Sequence, residues 1–479
     1  MCGICGFVKY DDSNVNANGL SITDLLSRLR HRGYDSWGTI CMNRDSSNQL
    51  IPHRSNGPVD TVGVNDIATF QLGHTRYTTQ GDHTSLDEAQ PLISKCGNIA
   101  LVHNGQVETP VDWSKQSDSL YLLSIIEQEF ASLIGFREES HRKTKKLIKQ
   151  ALNRVHSRVS GSYACIILVK HVGMISFRDR HGIRPLSVCF GSKHIAIASE
   201  SCAFQGIREA RFLDVPPGQF IWLSVDGTAN VAWTFDSLPN PRLGCLFEFI
   251  YLAHNDSVID GLSVREVRTK LGSLLAPLIQ SYPNQIDVIV PIPHTPLLAG
   301  QEISRILQID YVELLQVRSN TSIGPNRTFI LPTQSSRVDA VKQKFDIDRS
   351  LVDKCAGKSI LLIDDSIVRG TTLCHVVSLI REHVKPAKIY VASLAPPIIG
   401  PNKFGIDIPS TNELIADYKV AHDQNSELVA EKLGLDGPVI YQTLATIEDH
   451  FGPRFETSVF RPPSAVQTRT IGDILGDQF

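Results

Sequence analysis

Apolar residues in the first half of the chain come mostly in short runs separated by turn-forming residues. Gly161-Ser162-Tyr163-Ala164-Cys165-Ile166-Ile167-Leu168-Val169 and Ile195-Ala196-Ile197-Ala198 read as strands, and so does the stretch from Ile4 to Val8. Helical spacing of apolar positions appears at 22–29 and 117–130. Runs of strands with segregated helices predict a layered α+β domain. Beyond the turn-rich Asp236-Ser237-Leu238-Pro239-Asn240-Pro241-Arg242 the pattern changes. Apolar strands at 286–290, 359–363 and 388–392 alternate with helical patterns at 265–280, 297–307 and 373–383. That alternation predicts an α/β domain with a mainly parallel, doubly wound sheet. The expected organisation is a first domain over 1–235, a linker over 236–244, a second domain over 245–465 and a tail over 466–479.

Composition narrows the function classes. The 479 residues suit two or three domains, and 42% hydrophobic with 20% charged residues is ordinary for a globular protein. A net charge of −3 makes no electrostatic case for nucleic acid or a membrane surface as partner. The basic cluster Arg142-Lys143-Lys145-Lys146-Lys149 falls in a helical stretch and reads as a solvated face. No apolar run approaches the roughly 20 residues that span a bilayer. Polar residues at Lys9, Asp11 and Asp12 argue against a secretory leader, so a cytosolic enzyme is expected. Cys2 and Cys5 form the one C-x-x-C pair. On a strand such residues face opposite ways and lie roughly 10 Å apart, beyond the about 7 Å that a disulfide tolerates. Cys5 therefore reads as a small buried hydrophobe.

The opening Met1-Cys2-Gly3-Ile4 carries candidate chemistry. Removal of Met1 would leave Cys2 as a free terminus, with a thiol nucleophile and an α-amine base of pKa about 7.7–8.0 on one residue. Attack on a glutamine side chain also needs a carboxylate clamp, an anion for the substrate amine and an oxyanion hole. His31-Arg32-Gly33-Tyr34-Asp35-Ser36, Gly73-His74-Thr75-Arg76-Tyr77, His103-Asn104-Gly105 and Ser117-Asp118-Ser119 offer such groups in order. Taken singly, Asn104-Gly105 reads as a hairpin turn, Arg76 as a surface ion pair and Ser117-Asp118 as a helix cap. Their joint occurrence behind an N-terminal Cys-Gly-Ile is the specific signal. In the second half, Ile363-Asp364-Asp365-Ser366-Ile367-Val368-Arg369-Gly370-Thr371-Thr372 follows an apolar strand and opens a helix. Two carboxylates at a strand end suit ribose hydroxyls or a magnesium ion, and the turn behind them suits a phosphate.

The first half resembles the class II glutamine amidotransferases, which are N-terminal-nucleophile hydrolases. The resemblance implies an α-β-β-α sandwich with Cys2 as nucleophile and Asn104 and Gly105 as oxyanion hole. It implies Arg32 and Arg76 in the glutamine site, Arg76 on the carboxylate, and Asp118 on the amine. The second motif is similar to the signature of type I phosphoribosyltransferases. Together they resemble the amidophosphoribosyltransferase family over residues 1 to about 460, with supporting fragments Gly182-Ile183-Arg184-Pro185-Leu186, Ala198-Ser199-Glu200-Ser201, Leu246-Phe247-Glu248-Phe249-Ile250-Tyr251, Arg327-Thr328-Phe329-Ile330 and Gly405-Ile406-Asp407. That likeness implies glutamine-dependent amidation of phosphoribosyl pyrophosphate to 5-phosphoribosylamine, the opening step of purine synthesis. It implies phosphoribosyl pyrophosphate on Asp364, Asp365, Ser366, Arg369, Gly370, Thr371, Thr372, Arg327 and Lys344, with Mg2+ on Thr295, Asp364 and Asp365. It also implies a homo-oligomer, dimer or tetramer, inhibited by purine nucleotides. No iron–sulfur cluster is expected. Cys245 stands at one ligand position of cluster-bearing relatives, but Lys403, Glu456 and Val459 stand at the others.

The chain departs from the family in several places. Ile292-Pro293-His294-Thr295-Pro296 replaces a loop that usually reads Val-Pro-Asp-Ser-Gly, losing a carboxylate at His294 and a backbone N–H at Pro296. Thr321-Ser322-Ile323-Gly324-Pro325-Asn326 lacks the lysine and tyrosine usual before Arg327. His254 stands where arginine is usual, Leu120 where glutamate is frequent, and Tyr34 is closer to the hexosamine synthases. The loop from Arg318 to Phe345 is expected to be poorly ordered without substrate and to close weakly, leaving glutamate in excess over pyrophosphate. A hexosamine synthase would need a sugar isomerase half, and an asparagine synthetase an ATP loop, and neither motif is present. A paralogue that binds phosphoribosyl compounds without turnover stays open as the alternative.

Overall fold

A computed structural model describes residues 1–9, 21–44, 49–60, 68–77, 86–110, 117–134, 140–207, 211–226, 229–230, 243–282, 285–318, 344–406, 408 and 411–462. Arg327, the altered stretch 321–326 and nearly all of the expected closing loop lie outside these residues, as does 236–242. The chain forms two units. The first holds Met1–Gly244, Ala253–Ser263 and Lys403–Ile406; the second holds Cys245–Leu252, Val264–Asn402 and Asp407–Phe479. The two later stretches of the first unit are not anticipated by a single linker at 236–244.

The first unit runs β1 (Gly3–Lys9), α1 (Ile22–Arg28), β2 (Ser36–Met42), β3 (His53–Asn56), β4 (Phe70–Arg76), β5 (Leu92–Ile93), β6 (Ile99–Val107), α2 (Asp118–Glu129), α3 (His141–Arg158), β7 (Gly161–Val169), β8 (Gly173–Arg178), β9 (Ser187–Phe190), β10 (His194–Ala198), β11 (Arg211–Asp214), β12 (Phe220–Ser224) and β13 (Ala229–Asn230). Two sheets result, in the orders β11-β9-β10-β1-β4-β2-β3 and β13-β12-β8-β7-β6-β5. All the first sheet's pairings are antiparallel, with Cys5 opposite Gly73 on one side of β1 and Ala198 on the other.

Alternation along the strands explains the layers. Ile4, Val8, Leu72, Val102, Ala164 and Ile166 fill the space between the sheets. Cys5 and Phe7 point the other way, onto Ile22, Leu25, Leu26 and Leu29 of α1. Those four recur at i, i+3, i+4 and i+7, so one helical stripe covers the sheet. Ser21 starts α1 with a capping box, accepting from the Asp24 N–H while the Asp24 carboxylate accepts from its own. On the far side Ile99, Leu101, Cys165, Ile167 and Phe177 pack against α2 and α3. From Ala164 to Val169 the strand β7 is apolar because both its faces are covered. Cys5 is fully buried, and burial pushes its thiol up. Arg142, Lys143 and Lys146 lie exposed on α3, while Thr144, Ile148, Ala151, Leu152 and Val155 form its buried face. The result is the α-β-β-α sandwich.

The second unit holds a five-stranded parallel sheet in the order Asp310–Tyr311, Val288–Pro291, Ser359–Asp364, Lys388–Ser393, Ile440–Tyr441. The helices α4 (Val264–Gln280), α5 (Leu297–Leu307) and α6 (Thr371–His383) belong to the same unit. Numbered along the chain, the strand order is 2-1-3-4-5. Ligands in such sheets bind beyond the carboxyl ends of the strands where the order reverses. Here that is between Val288–Pro291 and Ser359–Asp364. Among the described residues no helix is long and apolar enough to cross a membrane.

Leu72 is fully buried between the two sheets, opposite Gly6 and Ile40. Leu72→Ala is expected to cost about 2–5 kcal/mol, read as a lower denaturant midpoint for the first unit's transition. An unchanged midpoint would contradict this packing.

Candidate functional site

The first constellation grows out of the start of β1. The Cys2 backbone nitrogen donates to Asn104 Oδ1 at 3.2 Å, across from one sheet to the other. Its thiol lies 3.8 Å from the Tyr77 carbonyl, and the next N–H, of Gly3, donates to Thr75 Oγ1 at 3.2 Å. Asn104 and Gly105 lie inside β6, paired with Ala164 and Tyr163, so the hairpin-turn reading of Asn-Gly is wrong here. Asn104 is fully buried, and among the described residues its Nδ2 has no hydrogen-bond partner. Gly105 has φ +152°, and a Cβ there would sit 2.1 Å from the Ser162 carbonyl oxygen. Only glycine fits that strand crossing.

The other predicted residues surround this pair. Arg76 ends β4 and pairs with Glu88 at 3.0 Å. Asp118 opens α2 and accepts from the Val107 N–H at 3.0 Å. Arg32 is buried, and its Nε donates to the Cys2 carbonyl at 3.0 Å while its Nη1 bonds Glu200. The arginine expected in the glutamine site is thus turned onto the backbone of Cys2. Two imidazoles lie beneath. His103 Nδ1 meets Ser119 Oγ at 2.9 Å, and burial lowers its pKa. His74 is lowered well below the usual range, first by burial and then by the charge of Arg76. Both are neutral at pH 7, so positive charge here comes from arginine.

Three fragments that carry only a resemblance in the sequence have structural roles. In Ala198-Ser199-Glu200-Ser201, Ser199 Oγ accepts from the Ile4 N–H at 3.0 Å and Glu200 anchors Arg32. Arg184, fully buried, donates through Nε to the Phe404 carbonyl at 2.9 Å, joined there by Ser162 Oγ at 2.8 Å. A Cβ on Gly405 would lie 3.2 Å from Gly105. The stretch Lys403–Ile406 therefore backs Gly105, a contact between positions 300 residues apart in sequence that no local pattern announces.

The second constellation lies at the strand switch. Asp364 is the last residue of its strand, and both it and Asp365 are 8% exposed. The Asp365 N–H donates to Asp364 Oδ1 at 2.9 Å, and Ser366 Oγ to Asp365 Oδ1 at 2.8 Å. Thr295, from the neighbouring strand's loop, bonds the Asp365 carboxylate. Burial pushes Asp365 up to about 6. Asp364 is raised well above the usual range, by burial and then by the charge of Asp365. Arg268 of α4 and Lys344 partly offset this at Asp365. Arg268 was not foreseen, because one arginine in an amphipathic helix leaves no local signature. Gly370 is left-handed, with φ +75°, and ends the turn so that Thr371 and Thr372 open α6. Arg369 is held by Glu413 at 2.6 Å. Pro296 is the N-cap of α5 and supplies no N–H to that loop.

The acid pair suits a hard divalent cation. It offers buried carboxylate oxygens beside a hydroxyl, and burial raises both carboxyls in a way that a bound cation relieves. His31, Glu200 and Cys202 of the first unit also bring ligand atoms within 4.8 Å of one another. There the Arg32 guanidinium already sits on the carboxylate oxygen that His31 uses.

Comparison with known proteins follows the same division. Residues 74–206 match the glutamine amidotransferase domain, and residues 263–405 the phosphoribosyl transferase domain. The chain is 33% identical to an amidophosphoribosyltransferase of Pseudomonas aeruginosa over 94% of its own length and 89% of that protein's. It is 34% identical to one of Escherichia coli, over 96% and 92%. A solved glutamine phosphoribosylpyrophosphate amidotransferase from B. subtilis, complexed with ADP and GMP, superposes with TM-score 0.69 and 27% identity over 96% of this chain and 94% of that one. The chain belongs to the amidophosphoribosyltransferase family.

Proposed function

We propose that this chain transfers the amide nitrogen of glutamine to C1 of phosphoribosyl pyrophosphate, giving 5-phosphoribosylamine, glutamate and pyrophosphate. The observation that carries this reading is Cys2 held on Asn104 in a chain whose second unit ends its middle strand in a buried acid pair. With Met1 removed, the Cys2 amine takes the thiol proton and Sγ attacks the glutamine amide carbon. The unpartnered Asn104 Nδ2 and the Gly105 N–H face the developing oxyanion. Ammonia leaves, and water then cleaves the γ-glutamyl thioester. Arg76 binds the glutamine carboxylate in exchange for Glu88, and Asp118 binds its amine. Met1 itself is buried, so its removal also vacates volume beside the thiol.

In the second unit ammonia displaces pyrophosphate from C1. Asp364 and Asp365 hold the ribose hydroxyls and the turn from Ser366 to Thr372 holds the 5-phosphate, while the family likeness assigns Arg327 and Lys344 to the pyrophosphate. Mg2+ on Asp364, Asp365 and Thr295, when bound, neutralises leaving-group charge. The reading extends to a cytosolic homo-oligomer inhibited by purine nucleotides; the ADP and GMP in the B. subtilis relative support the last of these. Pro296, which supplies no N–H to the pyrophosphate loop, favours the second reading, a chain that binds the substrate without turnover. That reading expects calorimetric binding of phosphoribosyl pyrophosphate with no pyrophosphate released.

Cys2→Ala is expected to abolish glutamate release while ammonium-dependent pyrophosphate release persists. Glutamate release surviving in that variant would overturn the assignment of the nucleophile. Asp365→Asn is expected to cut pyrophosphate release by about 100-fold or more with glutaminase intact. The raised carboxyl of Asp365 also sets a pH dependence. Below about 6 it is protonated and must lose that proton to meet a cation. Calorimetric affinity for magnesium–phosphoribosyl pyrophosphate should therefore fall by up to about tenfold per unit below pH 6, beyond the fall that Asp365→Asn shows. Parallel pH profiles for the two proteins would contradict this.

A further inference from the structure

We propose that Glu200 is a positioning residue for the nucleophile, acting through Arg32, and that the stretch Ala253–Ser263 locks it in place. The inference rests on the glutaminase reading above. Once Met1 is gone, Cys2 is tethered on one side only, and its placement depends on what holds its nitrogen and its carbonyl. Asn104 holds the first and Arg32 the second. Arg32 is fully inside the protein, so its guanidinium needs a fixed anion to keep one orientation.

Glu200 supplies that anion, and its two oxygens divide the work. Oε1 receives Arg32 Nη1 and His31 Nε2, the latter at 2.8 Å. Oε2 receives the His254 backbone N–H at 2.8 Å and Ser257 Oγ at 2.7 Å, with the Cys202 thiol at 3.8 Å. Burial alone would raise this carboxyl, but His31 and Arg32 outweigh it and hold it well below the usual range. It is therefore ionised at neutral pH. His254 and Ser257 come from a stretch that follows the first domain in sequence yet belongs to this unit. The His254 ring lies 5.6 Å from that of His31, closing the cluster. Charge, burial and a complete set of donors thus join residues 253–263 to the carbonyl of Cys2 through two side chains.

The test separates placement of Cys2 from binding of glutamine. Full-length protein is inactivated with a diazoketone glutamine analogue that alkylates Cys2, and the maximal rate and half-saturating concentration are read separately. Glu200→Gln, nearly isosteric but uncharged, is expected to lower the maximal rate about 10- to 100-fold, with half-saturation within about twofold of the parent. Ser257→Ala removes one donor from Oε2 and is expected to lower the rate about three- to tenfold while the melting temperature falls by only a few degrees, so that the protein stays folded in the assay. It decides the matter should Glu200→Gln fail to fold. Unchanged rates would overturn the proposal, and so would a half-saturation rising in step with the loss, which would make Arg32 a glutamine ligand. Parent protein that is neither alkylated at Cys2 nor able to release glutamate would overturn the functional reading, and this inference with it.

Discussion

The hydrogen bond from the Cys2 nitrogen to Asn104 Oδ1 joins the two sheets of the first unit, and the proposed glutamine chemistry depends on it. The two residues lie 102 positions apart, one at the start of a strand and the other in the middle of one. Their separation is set by the layer of Ile4, Leu72, Val102 and Ile166 between the sheets. Packing at that density transmits changes of a methyl group or less. Gly6 contributes by having no side chain, since a Cβ there would sit 2.8 Å from Met174 Sδ. The sandwich is thus a frame that brings an N-terminal thiol to an amide and a strand N–H, and the groups that would recognise glutamine stand around its edge.

The two constellations use opposite electrostatics. Around Cys2 the buried imidazoles of His74 and His103 are neutral, and arginines supply the charge. A carboxylate substrate and an oxyanion both suit such a place. At the strand switch two carboxyls are buried side by side, and burial drives both upward. That is an unfavourable arrangement alone and a favourable one with a cation or a polyhydroxylated sugar between them. Each site is left incomplete in a way that its proposed ligand completes.

Much of this was legible in the sequence because the signals are local. Alternation and run length at 161–169, 359–363 and 388–392 locate strands that the structure contains, and the 297–307 helix matches residue for residue. The acid pair followed by a glycine turn lies, as its pattern suggests, at a strand end that opens a helix. Other features were hidden for physical reasons. Asn104-Gly105 has turn chemistry but lies mid-strand, because the crossing with Ser162 demands a glycine there. Glu200 and Arg268 act through partners distant in sequence, and a single charged residue carries no periodic signal. The capture of 253–263 and 403–406 by the first unit is a tertiary choice, governed by Glu200 and Arg184 rather than by composition.

If one chain joins both chemistries as proposed, nitrogen from glutamine ends on the sugar. Amide-15N glutamine supplied with magnesium and phosphoribosyl pyrophosphate, with the label followed by NMR alongside pyrophosphate release, shows whether it does. The expected result is 15N in the glycosylamine, with pyrophosphate released only when glutamine or ammonium is present. Label recovered wholly as free ammonium, with phosphoribosyl pyrophosphate intact, would contradict it.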